Sequence, residues 1–280
     1  MLCGIMRDLM DPILFPVTQG TYVHSGHFML FLGCLVGILL TIIEMKRIGE
    51  RPEKIYPLFL LVLVSGICGA RAFFCISSRE TYRCSLVSFF EFWKGGMSLY
   101  GGAILAVTVF LLYARWQRLD FWRTGDMLAP SAAIFIFIAR VGCFLAGCCY
   151  GRRCDLGFPL AVVFKDPAAV APKNVPLYPT QPFFAASALV IFFLLWTRRR
   201  HKAFEGEISL LGACTFCGTS LVIECFRGDT LALHKILGMT VSPNQIVGLM
   251  ILLFSTILYV HRSRTSRDQI RSSGGFGMAL

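Results

Sequence analysis

The stretch Met127-Leu-Ala-Pro-Ser-Ala-Ala-Ile-Phe-Ile-Phe-Ile-Ala-Arg140-Val-Gly-Cys-Phe-Leu-Ala-Gly147 decides how this chain is read. It is apolar over about the 20 residues that a helix needs to cross a hydrocarbon core, yet it carries a guanidinium near its far end. An arginine at that depth is costly, so Arg140 calls for an anionic partner, a wet cavity or a ligand. Its neighbours Ala139, Gly142, Ala146 and Gly147, with Gly151 beyond, are small enough to let a backbone or a ligand come close.

Outward from this block, six more apolar segments follow the same pattern, at about 28–44, 56–76, 97–114, 181–197, 207–226 and 244–261. Together they predict an all-α integral membrane protein of about seven transmembrane helices. Hydrophobic residues make up 56% of the chain and charged ones 15%, against about 25% charged in soluble domains, which excludes a water-soluble fold. Residues 1–262 read as a single polytopic membrane domain and 263–280 as a disordered cytoplasmic tail. The sixth segment is the weakest, because it carries Glu207, Glu224 and Arg227. Asp8 and Asp11 in the first residues argue against a cleavable signal peptide, so the first span is expected to direct insertion.

The net charge of +11 lies mostly in short connections between apolar blocks, which favours membrane topology and excludes nucleic acid as a partner. Lys46, Arg47, Arg51 and Lys54 form one basic cluster, Arg115, Arg118 and Arg123 a second, Arg198 to Arg200 with Lys202 a third, and Arg262 to Arg271 a fourth. These alternate connections are expected to be cytoplasmic, which places the N-terminus outside and the C-terminus inside. The outer connections 77–96, 150–180 and 228–243 are long, so function is expected on that face.

Several residues could carry chemistry. Arg71, in Gly66-Ile-Cys-Gly-Ala-Arg71, repeats the arrangement at Arg140, and two buried guanidiniums invite a phosphate. Glu224 and Arg227 share a helical face and either pair with each other or orient Arg140. Each arginine also reads as a structural ion pair or as a side chain snorkelling to the interface. Tyr100 stands between glycine pairs in Trp93-Lys-Gly-Gly-Met-Ser-Leu-Tyr100-Gly-Gly102 and reads equally as a functional hydroxyl or as part of an interfacial aromatic belt. Tyr178-Pro-Thr-Gln181 reads as a polar cap for a helix start, with Gln181 a candidate ligand contact.

Of the 12 cysteines, Cys34, Cys68, Cys75, Cys214, Cys217 and Cys225 lie in apolar runs and are expected to pack as small hydrophobes. The redox-like spacing of Cys214 and Cys217 falls within a span and is read the same way. Cys143 is expected to pack, while packing, redox and acyl-accepting roles stay open for Cys148 and Cys149. His24 and His27, expected on one helical face, have a metal-like spacing that nothing nearby completes, so no metal is expected.

Taken in order, these segments resemble the prolipoprotein diacylglyceryl transferase family. Its pattern Gly-Arg-x-Gly-Asn-Phe-x-Asn-x-Glu-x-x-Gly is similar to Ala139-Arg140-Val-Gly142-Cys143-Phe144-Leu-Ala146-Gly-Cys148-Cys-Tyr-Gly151, and its Trp-Asp-Gly-Gly-Met-Ser-Phe-His-Gly-Gly to the segment holding Tyr100. Gly69-Ala-Arg71, Gly125-Asp126-Met-Leu-Ala-Pro130, Tyr178-Pro-Thr-Gln181 and Ile223-Glu224-Cys-Phe-Arg227 match further segments. Tyr100 stands at the family's catalytic histidine position, Cys143 and Ala146 at its two asparagines, Cys148 at its glutamate and Ser220 at an arginine.

The resemblance implies a bacterial inner-membrane enzyme that moves a diacylglyceryl group from phosphatidylglycerol to the lipobox cysteine of a prolipoprotein, with no cofactor. Within it, Arg140 and Tyr100 are expected to be catalytic, and Arg71, Arg140, Gly142, Gln181, Glu224 and Arg227 to bind the phospholipid. The replaced positions imply an alternative, a divergent paralogue that binds lipid or acts as a scaffold. A small-solute transporter is disfavoured because no internal repeat is evident.

Overall fold

The computed structural model describes residues 13–18, 21–77, 89–90, 99–155, 157–229, 234–236 and 239–274. Among the described residues seven apolar helices follow one another: α1 (Ser25–Ile48), α2 (Pro52–Ser77), α3 (Leu99–Trp116), α4 (Phe121–Ala146), α5 (Thr180–Arg198), α6 (Glu207–Glu224) and α7 (Pro243–Gly274). All but α3 are long and apolar enough to cross a membrane, and α3 is a shorter helix of the same character. Phe31, Leu60, Leu112 and Phe254 are 61%, 61%, 65% and 65% exposed on these helices. Water would penalise such surfaces; acyl chains do not.

Local sequence explains the helix starts. Pro52 and Pro182 sit in first turns, where a missing N–H removes no helical hydrogen bond. Ser242 and Gln245 form a reciprocal cap at α7: the Gln245 amide donates to the Ser242 hydroxyl at 3.2 Å, and the Ser242 amide to Gln245 Oε1 at 2.9 Å.

Among the described residues three small antiparallel ribbons supplement the helices: β1 (Ile13–Thr18) with β2 (Thr21–His24), β3 (Val162–Val163) with β4 (Pro176–Leu177), and β5 (His234–Ile236) with β6 (Met239–Val241). His24 therefore ends a strand and shares no helical face with His27. The last helix runs past Arg262 to Gly274, well into the segment expected to be a disordered tail, while 275–280 lie outside the described residues. Cys75 also departs from expectation, being disulfide-bonded rather than merely packed. Pairing depends on distance through space, which position in an apolar run does not reveal. Cys34, Cys68, Cys214, Cys217 and Cys225 are free thiols.

The chain forms two compact bodies. One comprises Ile42–Thr124, built mainly on α2 and α3. These helices cross with backbones in contact: a Cβ added to Gly69 would lie 2.4 Å from the Gly101 carbonyl oxygen. Neither backbone can yield locally, so Gly69→Ala should cost about 1 to 3 kcal/mol. The check is thermal unfolding in detergent, and an unchanged midpoint would show that the crossing tolerates a methyl group. At the other end of this body Lys54 donates to the Gln117 carbonyl at 2.7 Å, and Arg123 pairs with Glu50 at 3.3 Å.

The other body comprises Met1–Thr41 and Gly125–Leu280. Gly33 packs under Phe135, Thr41 donates to the Ser131 hydroxyl at 3.0 Å, and Ala133, Ile191, Leu195 and Ile208 knit α4, α5 and α6 into an apolar core. Asp126, on the first turns of α4, caps α6 from outside that helix. Its carboxylate accepts from the Gly206 amide at 2.9 Å, the Ser209 amide at 2.9 Å, the Ser209 hydroxyl at 3.1 Å and Lys202 Nζ at 3.0 Å. Glu207, 1% exposed in the weakest span, is offset by Arg198 at 2.7 Å. A carboxylate in an apolar segment thus gains a partner from the neighbouring helix end.

Candidate active site

Arg140 occupies the last turns of α4 and is 9% exposed. Its guanidinium lies over the Phe184 ring of α5, 4.2 Å from the centroid. Among the described residues no carboxylate comes within ion-pair distance of it and no acceptor takes a hydrogen bond from it. The aromatic face offsets part of the cost of burying the charge, and the hydrogen-bonding edge is left for an anion.

The loop after Arg140 is tightly built. Gly147 ends the helix in a left-handed conformation, φ +69, where an added Cβ would meet Ala169 at 2.9 Å. Cys149 is also left-handed, φ +56, which a non-glycine residue adopts only when its surroundings hold it there. Two side chains of α5 do so: Thr180 Oγ1 donates to the Cys149 carbonyl at 2.8 Å, and Gln181 Nε2 to the Cys148 carbonyl at 2.9 Å. The Tyr178 to Gln181 segment was expected to cap its own helix. Instead no side chain caps α5 there, and these groups brace the cysteine loop.

Beyond the loop the backbone joins the end of α6. The Arg152 amide donates to Phe226, the Gly228 amide to Tyr150, and Gly151 bridges to Arg227. The Arg227 guanidinium is locked between two acids. It meets Glu224 at 2.6 Å and binds both oxygens of Asp229, at 2.9 and 3.1 Å. Burial alone would lower its pKa; Asp229, then Glu224, hold it above the ordinary arginine value. The alternative left open in the sequence resolves to the ion pair with Glu224, with Asp229 added, a partner the sequence reading missed although it stands two residues along.

Glu224 has a second feature. Its Oε1 is taken by Arg227 and by Asn244 at 3.0 Å, while its buried Oε2 has no hydrogen-bond partner among the described residues, nor has the Ser220 hydroxyl one turn earlier. Ser220 stands where the resemblance expects an arginine. The atom left without a donor is one that a guanidinium would serve.

The sulfur atoms of Cys143, Cys148 and Cys149 all lie within 4.8 Å of one another, and all three are free thiols. The packing role expected for Cys143 understates this position. Thiol contacts from Cys143 and Cys148, followed by the charges of Arg140 and Arg227, hold the Cys149 thiol well below its ordinary pKa, against the effect of burial.

The other expected site residues are placed as follows. Gly142 packs against the first turns of α1, where an added Cβ would lie 2.7 Å from Met29 Cβ and 3.3 Å from the Gly26 carbonyl oxygen. Arg71, in the body built on α2 and α3, is wholly buried, lies 5.8 Å from the Phe74 ring centroid and donates to the Phe89 carbonyl at 3.2 Å. Tyr100 belongs to the first turn of α3; its side chain and residues 93–98 lie outside the described residues. Phe184, Thr180 and Asn244 were missed, because only the folded arrangement brings them to their partners.

Apolar helices with a guanidinium and thiols gathered at one helix end define the class: a multi-pass membrane protein with a polar, cation-bearing centre. The prolipoprotein diacylglyceryl transferase pattern matches residues 12–261, and the chain belongs to that family of transferases. It is 29% identical to a phosphatidylglycerol–prolipoprotein diacylglyceryl transferase of Clostridium tetani, over 79% of this chain and 86% of that protein. It is also 28% identical to the corresponding transferase 2 of Clostridium perfringens, over 86% of this chain and 91% of that protein. A Bacillus licheniformis enzyme of the same name is 26% identical over 92% and 95%.

Proposed function

We propose that this chain transfers the diacylglyceryl group of phosphatidylglycerol to the lipobox cysteine thiol of a prolipoprotein, at the outer half of the bacterial inner membrane. The observation that carries this reading is Arg140, a buried guanidinium without a protein counter-ion among the described residues. The reaction makes a thioether and releases glycerol phosphate, so negative charge grows on a phosphate as the carbon–oxygen bond breaks. A buried cation fixed in place before the reaction stabilises that charge more than it stabilises the bound lipid, which is the condition for catalysis.

Arg140 is assigned to the phosphate, and the open Glu224 Oε2 to a headgroup hydroxyl. Arg227, neutralised by Glu224 and Asp229, positions Glu224. Gln181 supports the site by holding the loop after Arg140, and Gly142 by letting α1 approach α4. Arg71 and Tyr100 enter through the family pattern, Arg71 as a further phospholipid contact and Tyr100 at the histidine position, for proton transfer or headgroup orientation. If the phenol carries the proton, Tyr100→Phe lowers kcat by about 100-fold or more. A loss below tenfold assigns that step to another group.

The direct test is expression in a bacterium depleted of its own transferase, with a gel shift reporting the lipidated prolipoprotein. Rescue is expected. A well-expressed protein that gives no shifted product would support the second reading, a lipid-binding paralogue, which is favoured by Tyr100 and Cys148 standing where the family has histidine and glutamate.

A further inference from the structure

Three thiols converge beside Arg140 on a scaffold that holds them there. Cys143 lies in the last turn of α4, and the Cys148 amide returns to the Cys143 carbonyl at 3.1 Å. Adjacent side chains ordinarily diverge along a chain, but the left-handed turns at Gly147 and Cys149 bring both following sulfurs to the first. Thr180 and Gln181 clamp the two cysteine carbonyls from α5. None of the three sulfurs is consumed in a disulfide.

We propose that Cys143, Cys148 and Cys149 form a three-thiolate site for a soft divalent ion of the zinc class, with its fourth position open to a substrate thiol. Sulfurs about 2.3 Å from a tetrahedral zinc lie about 3.8 Å apart. The present separations, all within 4.8 Å, need a closure of only about 1 Å. Three thiolates and a divalent ion carry only one net negative charge, far less than the three thiolates would carry alone. Three protein ligands with a vacant fourth position is the arrangement of catalytic zinc rather than of structural zinc. Cys143 and Cys148 stand where the family pattern has asparagine and glutamate, and Cys149 where it specifies no residue, so the site is a property of this chain's own residues.

The ion's part in the reaction rests on the transferase reading above. A prolipoprotein thiol entering the fourth position gives up its proton to solvent and stays nucleophilic at neutral pH. Its sulfur then attacks the terminal glyceryl carbon: a carbon–sulfur bond forms, the carbon–oxygen bond to phosphate breaks, and that electron pair stays on the phosphate oxygen facing Arg140. The products are the thioether and glycerol phosphate, with no oxidant or reductant required.

The experiment uses the full chain in detergent, reduced and stripped of metal, titrated with cobalt(II) as a spectroscopic stand-in for zinc. Expected is a thiolate-to-cobalt charge-transfer band that saturates at one ion per chain and is displaced by zinc. Cys143→Ser and Cys148→Ser should abolish it, and Cys225→Ser, at an exposed thiol, should keep it. Zinc should also slow alkylation of Cys143, Cys148 and Cys149 in the wild-type chain more than tenfold while sparing Cys225, a measurement that needs no variant to fold. Absence of the band, or equal alkylation with and without zinc, overturns the site. Transfer by the loaded but not the stripped wild-type chain supports the ion's role in the reaction, and equal turnover overturns that role. A full cobalt band with no product from either form counts against the transferase reading and leaves the metal site standing.

Discussion

Arg140→Met is expected to lower kcat for diacylglyceryl transfer by at least about 1,000-fold while the protein inserts and folds as before, because removing one preorganised group that meets developing charge costs about 100- to 1,000-fold and here the group is a full cation. The second half of this prediction separates function from structure. A buried arginine that belongs to an ion pair leaves its partner stranded when it is removed, at about 3 to 5 kcal/mol. Arg140 has no such partner among the described residues, only the ring of Phe184 at 4.2 Å. The variant forfeits a desolvated cation–π contact of about 2 kcal/mol and gains relief from burying a charge. Turnover in reconstituted phosphatidylglycerol vesicles and thermal unfolding of the same sample check both halves. Unchanged turnover would remove Arg140 from the site, and loss of fold with loss of turnover would make it structural.

The second large effect is expected at Asp126, which touches no residue of the proposed reaction. Asp126→Ala leaves the Gly206 and Ser209 amides without their acceptor, and Lys202 Nζ without one of its two acids. The carboxylate is 6% exposed, so water replaces little of what is lost. A cost of about 3 to 5 kcal/mol follows, enough to deplete the folded protein in the membrane. Asp126→Asn should lose less, since its amide oxygen still accepts from the two backbone groups. The measurement is the unfolding midpoint and the monodisperse yield of both variants. If alanine and asparagine match the wild type, the cap contributes little and α6 is held by packing alone.

Much of the architecture was legible because a membrane span is a statement about composition over a fixed length. The blocks near 28–44, 56–76, 127–147 and 181–197 correspond to α1, α2, α4 and α5, with ends differing by a few residues. The ribbons were not legible. Two- and three-residue strands such as Val162–Val163 and Met239–Val241 are too short to show a periodicity, and they form only where a partner lies alongside. The reach of α7 past Arg262 was hidden too, since polar residues that suggest disorder in isolation can continue a helix already nucleated by its apolar part.

The site was legible in part for a related reason. Arg140 identified itself by cost, an unusual charge in an apolar run, and Glu224 with Arg227 by helical spacing. Nothing in the linear order marked Phe184 as the surface beneath Arg140, Gln181 as a brace for the Cys148 carbonyl, or Cys143 as a neighbour of Cys148 and Cys149. By itself the sequence determined that the chain crosses a membrane several times and that a guanidinium is retained in one crossing, because hydropathy and charge are properties of the residues themselves. Which cations are neutralised, which are left for a ligand and which thiols meet was decided by the tertiary structure. Those outcomes depend on distances between segments far apart in the chain, and Coulomb and hydrogen-bond energies change sharply within a few ångströms.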